Sequence, residues 1–476
     1  MQRTRTWLVV GLALLVAFKA KPGQMKIATA GAGSAGHAAA EALRKTTGIE
    51  YKHIPYKGGY PAVVATVQGE TDVVMQLSLE VVDMRRAKKL RALATTAPKP
   101  LTISGYGEIP SITRVIFLGG LEMETRHQKV SGKDQVTLAL LGAGFVADFY
   151  MQALAYVPHQ QVVGVFSRTR ERGRAFAGKW QIPQATDRLE ELIARGDIDL
   201  YVVGLPNFLH KEVCLKLAEA GRNVLCTKPL GRNASEARAM LEAVRAHGVR
   251  HGYLETEVFT PAVVKAKELV DRGAIGEVVM VRSREAHFGS HSPYNWDPEL
   301  AGGGPLLLLG SHNVEFSRFM LGKPRAVEVF AWTATLVHQA PIEDSALMLI
   351  RFEGGKMAQV EVNWTTRSGL DLQNEITGRD GAIYTDVTGA TGIRAFTLKD
   401  AGYVLEKATV STGWIQPVPE EPFIYGYVGH LKHFVDAVRE GRPFAETFED
   451  GYVVNAIIDA GYRSARSGRW EPVEVE

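Results

Sequence analysis

Two stretches of this chain hold residues whose types and spacing could do chemistry. In the first, the apolar run Leu138-Ala139-Leu140-Leu141 ends in Gly142-Ala143-Gly144-Phe145-Val146-Ala147, a Gly-x-Gly-x-x-Ala pattern. Such a pattern turns a buried strand into a helix whose N-terminal N–H groups meet the pyrophosphate of a dinucleotide. Gly142 permits the tight turn, Gly144 lets the backbone approach the phosphates, and Ala147 lets helix and strand pack closely. In the second stretch, Glu285 and His287 fall on one side of a predicted strand, with His291, Tyr294 and Trp296 following. Polar groups beside an aromatic platform suit a polyol, a carboxylated sugar or a metal. Two His and a Glu at these spacings are not a specific metal signature, and no metal is expected.

The elements that must position these residues follow from the pattern around them. After the glycine turn, strands are expected at 162–166, 200–204 and 223–226, alternating with helices at 170–180, 210–220 and 233–247. That alternation predicts a parallel sheet with helices on both faces. At the end of the second strand stand Ser167 and Arg168, where an acidic residue would grip the ribose hydroxyls of NAD(H). A hydroxyl and a guanidinium suit a 2′-phosphate, so NADP(H) is favoured over NAD(H). From about residue 260 the pattern changes to long strands, at 278–284, 326–333 and 357–364, and ends in two amphipathic helices at 429–440 and 448–467.

The 476 residues are too many for one ordinary core, and 46% hydrophobic with 22% charged residues is a globular composition. A net charge of +3 gives no argument for nucleic acid or a membrane surface as a partner. Cys214 and Cys226 fall inside the nucleotide-binding region and are expected to be buried reduced thiols. At the start of the chain, Arg3 and Arg5 precede an apolar run over 7–18, laid out like a secretory signal peptide or else a buried helix.

Two resemblances add to this. Lys21-Pro22-Gly23-Gln24, Ala30-Gly31-Ala32-Gly33-Ser34-Ala35-Gly36-His37, His53-Ile54-Pro55-Tyr56-Lys57-Gly58-Gly59 and Leu90-Arg91-Ala92-Leu93-Ala94 resemble the Bug-type receptors of tripartite tricarboxylate transporters. The likeness spans about 12–113, under half of such a receptor, and implies a partial periplasmic-binding-protein-like α/β lobe over 21–113. Residues 114–133 read as a linker.

Leu205-Pro206-Asn207-Phe208-Leu209-His210 and Cys226-Thr227-Lys228-Pro229-Leu230, together with the glycine turn, resemble the Gfo/Idh/MocA oxidoreductases over about 134–476. The resemblance implies a Rossmann domain over 134–257 and an open-sheet substrate and oligomerisation domain over 258–476, assembled as a dimer or tetramer. It implies cofactor contacts at Gly142, Gly144, Phe145, Val146, Ala147, Ser167, Arg168, Pro206, Asn207, His210, Lys228 and Pro229. It places Lys228 beside the nicotinamide and makes His312 the general base on a sugar, cyclitol or related polyol; the residue pattern itself adds Glu285, His287, His291 and Trp296 as candidate substrate contacts.

The chain departs from the family pattern twice. Thr227 replaces the Glu of Glu-Lys-Pro, and Leu308 replaces the Asp of a helical Asp-x-x-x-His that ends at His312. Without these carboxylates Lys228 is expected to shed its proton more readily, and His312 to have one fewer partner fixing its tautomer. The alternatives are a catalytically silent dinucleotide-binding protein, or organic-acid binding by the N-terminal segment. A need for NAD(P)H implies the cytoplasm, whereas a cleaved signal peptide would imply the periplasm.

Overall fold

The computed structural model describes residues 22–75, 101–103, 107–109 and 135–475, apart from 291, 368, 390–391 and 400–411. The apolar N-terminal run, nearly all of the expected linker, Leu90-Arg91-Ala92-Leu93-Ala94 and His291 lie outside the described residues. The chain divides into two compact units, residues 1–129 and 130–476.

In the first unit, β1 (Lys26–Thr29) lies between β2 (Lys52–Pro55) and β3 (Val73–Val74) in a parallel sheet. Helix α1 (Ala35–Thr47) follows β1 and α2 (Gly59–Val67) follows β2. Its small core is Ile27, Ala40, Leu43 and Ile49. A separate hairpin pairs β4 (Leu101–Ile103) with β5 (Gly107–Ile109).

The second unit opens with a six-stranded, all-parallel sheet. Its strands are β6 (Val136–Leu141), β7 (Gln160–Phe166), β8 (Ala185–Thr186), β9 (Leu200–Val203), β10 (Val224–Thr227) and β11 (His251–Leu254). They stand in the order β11-β10-β9-β6-β7-β8. This is the doubly wound order, in which the chain reverses direction at β6 and opens a crevice at the strand C-termini. The central strands read as continuous apolar runs because helices bury both faces. Helices α3 (Phe145–Leu154), α4 (Arg170–Trp180), α5 (His210–Glu219) and α6 (Ala234–Ala246) provide that cover. Expected as a surface element, α6 buries Ala237, Met240, Leu241 and Val244, and Asn233 caps it by accepting from the Glu236 amide.

After helix α7 (Pro261–Asp271) comes a seven-stranded sheet. It is built of β12 (Val278–Ala286), β13 (Ala326–Ala334), β14 (Ser345–Phe352), β15 (Met357–Asn363), β16 (Asp371–Gly378), β17 (Ala382–Asp386) and β20 (Glu471–Pro472). Only β12 and β15 pair in parallel; the other neighbours are antiparallel. Alternating burial along β15 marks a sheet with one face packed. A small hairpin pairs β18 (Ala395–Thr397) with β19 (Gly413–Ile415).

The packed face is covered by α8 (Pro305–Leu308), α9 (Gly310–Leu321) and α11 (Phe448–Ser467), with Leu306, Phe316 and Ile457 in one core with Val329 and Val360. The terminal helices also return to the first sheet. Helix α10 (Tyr427–Glu440) places Val428, Leu431, Phe434 and Val435 in one core cluster with Leu138 and Leu225. Phe448 and Tyr452 of α11 join Val203 and Cys226 on the other face. Cys214 and Cys226 are buried and free.

Candidate functional site

The glycine turn takes the form its sequence predicts. Gly142 has φ +127°, a conformation that disfavours any side chain, and helix α3 starts at Phe145 with Gly144 as a cap that makes no side-chain hydrogen bond. This helix start borders a cleft of about 560 Å³. Ala143, Gly144, Phe145 and Val146 line it with Ser167, Arg168, Pro206 and Asn207. Arg172, which the sequence reading missed, donates from Nε to the Ala143 carbonyl at 3.0 Å and also lines the cleft. A glycine turn opening a helix, with two guanidinium groups beside it, fits a dinucleotide.

Farther along the same cleft lie Lys228, Glu257, Glu285, His287, Leu308 and His312. Lys228 follows β10, Glu257 follows β11, Glu285 ends β12, and His312 is in the first turn of α9. The expected single helix carrying positions 308 and 312 is broken: α8 stops at Leu308, and α9 begins at Gly310. Leu308 itself packs with Leu306 and Leu307 in the core, and its carbonyl, rather than a side chain, accepts from Lys228 Nζ at 2.6 Å.

His312 does have a carboxyl partner. Glu255, immediately after β11, brings Oε2 to 2.6 Å and Oε1 to 2.7 Å from His312 Nδ1, while the Glu257 amide donates to Oε1 at 2.7 Å. Glu255 has no exposed surface, and its burial pushes the carboxyl up to about 8, against the pull of the Glu257 amide and of Lys228. Burial, and then the positive charge of Lys228, lower the imidazole of His312 to about 3, while Glu285 acts in the opposite direction. The pair is therefore held with as little net charge as its protons allow. Its sequence signal was an acidic residue at the C-terminal end of an apolar parallel strand, Tyr253-Leu254-Glu255, where ligands of open α/β sheets bind.

The wall opposite is acidic. Glu257 is only 2% exposed, accepts from Asn374 Nδ2 at 2.8 Å, and is pushed well above the usual carboxylate range by burial and by Glu255 and Glu285. Glu285 and His287 are both buried and both line the cleft, as their alternation predicted, and the His287 ring stacks at 6.4 Å on Trp364.

Four predicted residues lie away from the cleft lining, and His291 is outside the described residues. His210 is fully buried, with Nδ1 at 3.0 Å from the Pro229 carbonyl and Nε2 at 2.8 Å from the Leu205 carbonyl, so it ties two crevice loops together from behind. Ala147 is buried under the turn, and Pro229 sits in the loop that His210 holds. Trp296 points its Nε1 to the Ser290 carbonyl at 3.1 Å and packs on His338 and Trp364.

In the N-terminal unit, the turn at Gly31–Ser34 is closed by its own residues. The Gly33 amide donates to His37 Nδ1 at 3.0 Å, and Ser34 Oγ accepts from the His37 amide. A buried acidic group, Glu315, Glu446 and Asp450, is neutralised by Lys323, at 3.1, 3.0 and 2.7 Å, and by Arg318. Among the described residues no helix is long and apolar enough to cross a membrane.

Comparison with known proteins agrees with this architecture. Residues 136–254 match the family model described as the oxidoreductase family, NAD-binding Rossmann fold, and residues 263–384 match the GFO/IDH/MocA C-terminal domain. Residues 12–125 match the tripartite tricarboxylate transporter family receptor. Levoglucosan dehydrogenase of Pseudarthrobacter phenanthrenivorans is 26% identical, with 71% of this chain and 98% of the relative aligned. For 1,5-anhydro-D-fructose reductase of Ensifer adhaerens the values are 29%, 71% and 98%. Among solved structures, GenD2 from gentamicin A biosynthesis, in complex with NAD, is similar with a TM-score of 0.68 at 31% identity, over 74% of this chain and all of that one. The chain therefore belongs to the Gfo/Idh/MocA oxidoreductase family, with a tripartite tricarboxylate transporter receptor segment ahead of the oxidoreductase part.

Proposed function

We propose that the protein is an NAD(P)-dependent oxidoreductase acting on a secondary alcohol or ketone of a sugar, cyclitol or related polyol. The observation that carries this reading is the convergence of Lys228 and the His312–Glu255 pair on the cleft that the glycine turn lines. When bound, the nicotinamide supplies the hydride acceptor or donor. Lys228 polarises the reacting oxygen, and His312 takes its proton during oxidation or returns it during reduction. The substrate end of the cleft pairs one Lys with Glu257 and Glu285, which supports an uncharged polyol and disfavours phosphorylated or carboxylated sugars.

Arg168 and Arg172 at the adenosine end support NADP(H) over NAD(H). The dinucleotide requirement supports a cytoplasmic enzyme. Phe330, Trp332 and Leu347 on the outer sheet face, with Trp332 and Leu347 paired across strands, support a homo-oligomer. The closed turn in the N-terminal unit supports no organic-acid site there.

The test incubates the protein with NAD+ or NADP+ and a panel of sugars and cyclitols while reduced nicotinamide is followed by absorbance. Oxidation of a neutral polyol is expected. Dinucleotide binding without turnover of any member of the panel, in either direction, would instead establish a silent subunit.

A further inference from the structure

We infer that Glu255 is the positioning residue of His312, taking over, from the buried end of β11, the place of the carboxylate that Leu308 lacks, so that the two side chains hold and release a proton as one unit. The inference rests on the reading of His312 as the proton-transfer group.

Three observations carry it. The carboxyl of Glu255 is fully buried and meets His312 Nδ1 with both oxygens, at 2.6 and 2.7 Å. The Glu257 amide fixes that carboxyl from behind, so the imidazole is oriented by a rigid strand end rather than by a mobile side chain. The residue four positions before His312 cannot do this work, because Leu308 packs in the apolar core and the helix breaks after it. With Nδ1 engaged, Nε2 is the ring nitrogen left for chemistry in the cleft that His312 lines.

The proton balance is definite. With one proton between the pair, Nδ1–H donates to the Glu255 carboxylate and Nε2 presents a lone pair. In alcohol oxidation the substrate O–H bond breaks and its proton bonds to Nε2. The C–H electron pair leaves as hydride to NAD(P)+, which is reduced as the alcohol becomes a ketone. The pair then holds two protons and no net charge, as an imidazolium with both Nδ1–H and Nε2–H beside the carboxylate or as a neutral Nε2–H imidazole beside the carboxylic acid. Reduction runs the same steps backwards. The groups facing the pair are Lys228 from the end of β10, Glu257 from beyond β11, Glu285 from near the end of β12, Tyr150 of α3 and Tyr253 of β11. The cation opposes a second proton and the two acids favour it.

The experiment compares wild type with Glu255→Gln in two ways. Ring nitrogen resonances of His312, assigned by loss in His312→Asn, are followed in ¹⁵N-histidine-labelled protein across pH 5 to 9. In wild type the ring is expected to show a proton on Nδ1 above the pair's apparent pKa and no separate transition near the ordinary histidine value of about 6.5. In Glu255→Gln the amide N–H is expected to donate to Nδ1 and leave the proton on Nε2. With a polyol substrate, kcat of oxidation is expected to fall about 100-fold or more with KM changed little, and the acid limb of its pH profile to move.

A folded Glu255→Gln with the wild-type tautomer and pH profile overturns the inference. If that variant does not fold, a wild-type His312 ring that titrates alone near 6.5 overturns it equally. The resonance measurement needs no substrate, so a protein that turns over no polyol fails the functional reading while the pairing is still decided.

Discussion

A Cβ placed on Gly142 would lie 2.3 Å from the carbonyl oxygen of Gly204, so the glycine turn and the loop after β9 meet backbone to backbone. Above Gly144, by contrast, the only atom within 4 Å of a Cβ is a guanidinium nitrogen of Arg172, at 3.8 Å. The two glycines are therefore expected to fail differently. Gly142→Ala adds that clash to a φ of +127° and should lower unfolding free energy by about 2–4 kcal/mol, measured by urea titration. Gly144→Val should unfold like wild type yet lose dinucleotide affinity at least ~100-fold by calorimetry, because the branched side chain stands where phosphates would lie. Wild-type affinity in Gly144→Val would remove the pyrophosphate assignment.

Arg168 tests the cofactor preference. Its guanidinium lies 5.6 Å from the Phe208 ring centroid at the mouth of the cleft. Arg168→Ala is expected to weaken NADPH binding by about 1.5–3 kcal/mol, the scale of a charge-assisted hydrogen bond, and to leave NADH nearly unchanged. Equal losses for the two cofactors would show that the arginine does not contact a 2′-phosphate.

The contribution of His430 to stability should fall on mild acidification. The residue is buried in α10 with Nδ1 at 2.9 Å from the Tyr427 carbonyl, and burial lowers its pKa to about 4. Burial, and then Arg442, lower the neighbouring His433 to about 4 as well. With folded values below the unfolded value of about 6.5, the unfolded chain binds more protons, and stability is lost as pH falls from about 6.5 to 4. Glu255, raised from 4.5 to about 8, has the opposite sign: its contribution is fully present below about 4.5 and is lost as pH rises from there to about 8. Urea midpoints at pH 7 and pH 5 in wild type and His430→Gln isolate the histidine, since Glu255 is common to both. On going from pH 7 to pH 5 the midpoint is expected to change less unfavourably in the variant than in wild type, and an identical change would show that His430 does not titrate across this range.

The N-terminal unit is expected to be dispensable for the oxidoreductase part. The division of the chain near residue 130 leaves both large sheets and all three large cores in the second unit. A chain shortened to begin at Ser131 should fold and bind dinucleotide like the full chain, as read by thermal unfolding and calorimetry. Precipitation of the shortened chain beside a soluble full chain would show that the two units depend on each other.

Much of this architecture is legible in the residues. Leu138-Ala139-Leu140-Leu141 running into Gly142 marks the first strand and its turn because a parallel strand buried on both faces has no polar alternation to confuse the reading. Glu285 and His287 reach the cleft together because a strand's period of two is rigid. Position 308 was harder. Four-residue spacing implies a shared helical face only if the helix is continuous, and Leu309 and Gly310 interrupt it. Glu255 was invisible to spacing altogether, since it is 57 residues from His312 and meets it only through the packing of the segment after β11 against α9. His210 had a motif position but not the orientation to match, because its ring found carbonyls behind the loops instead of the cleft.

The return of α10 and α11 to the first sheet bears on how the protein is made. Leu225 beside Phe434, and Cys226 and Val203 beside Phe448, are apolar surfaces completed by segments more than 200 residues later in the chain. A nascent Rossmann sheet emerging from the ribosome would present those faces to solvent throughout synthesis of the whole second sheet. Its final packing thus waits for α11, and the growing chain is a natural client for a holding chaperone until that helix has emerged.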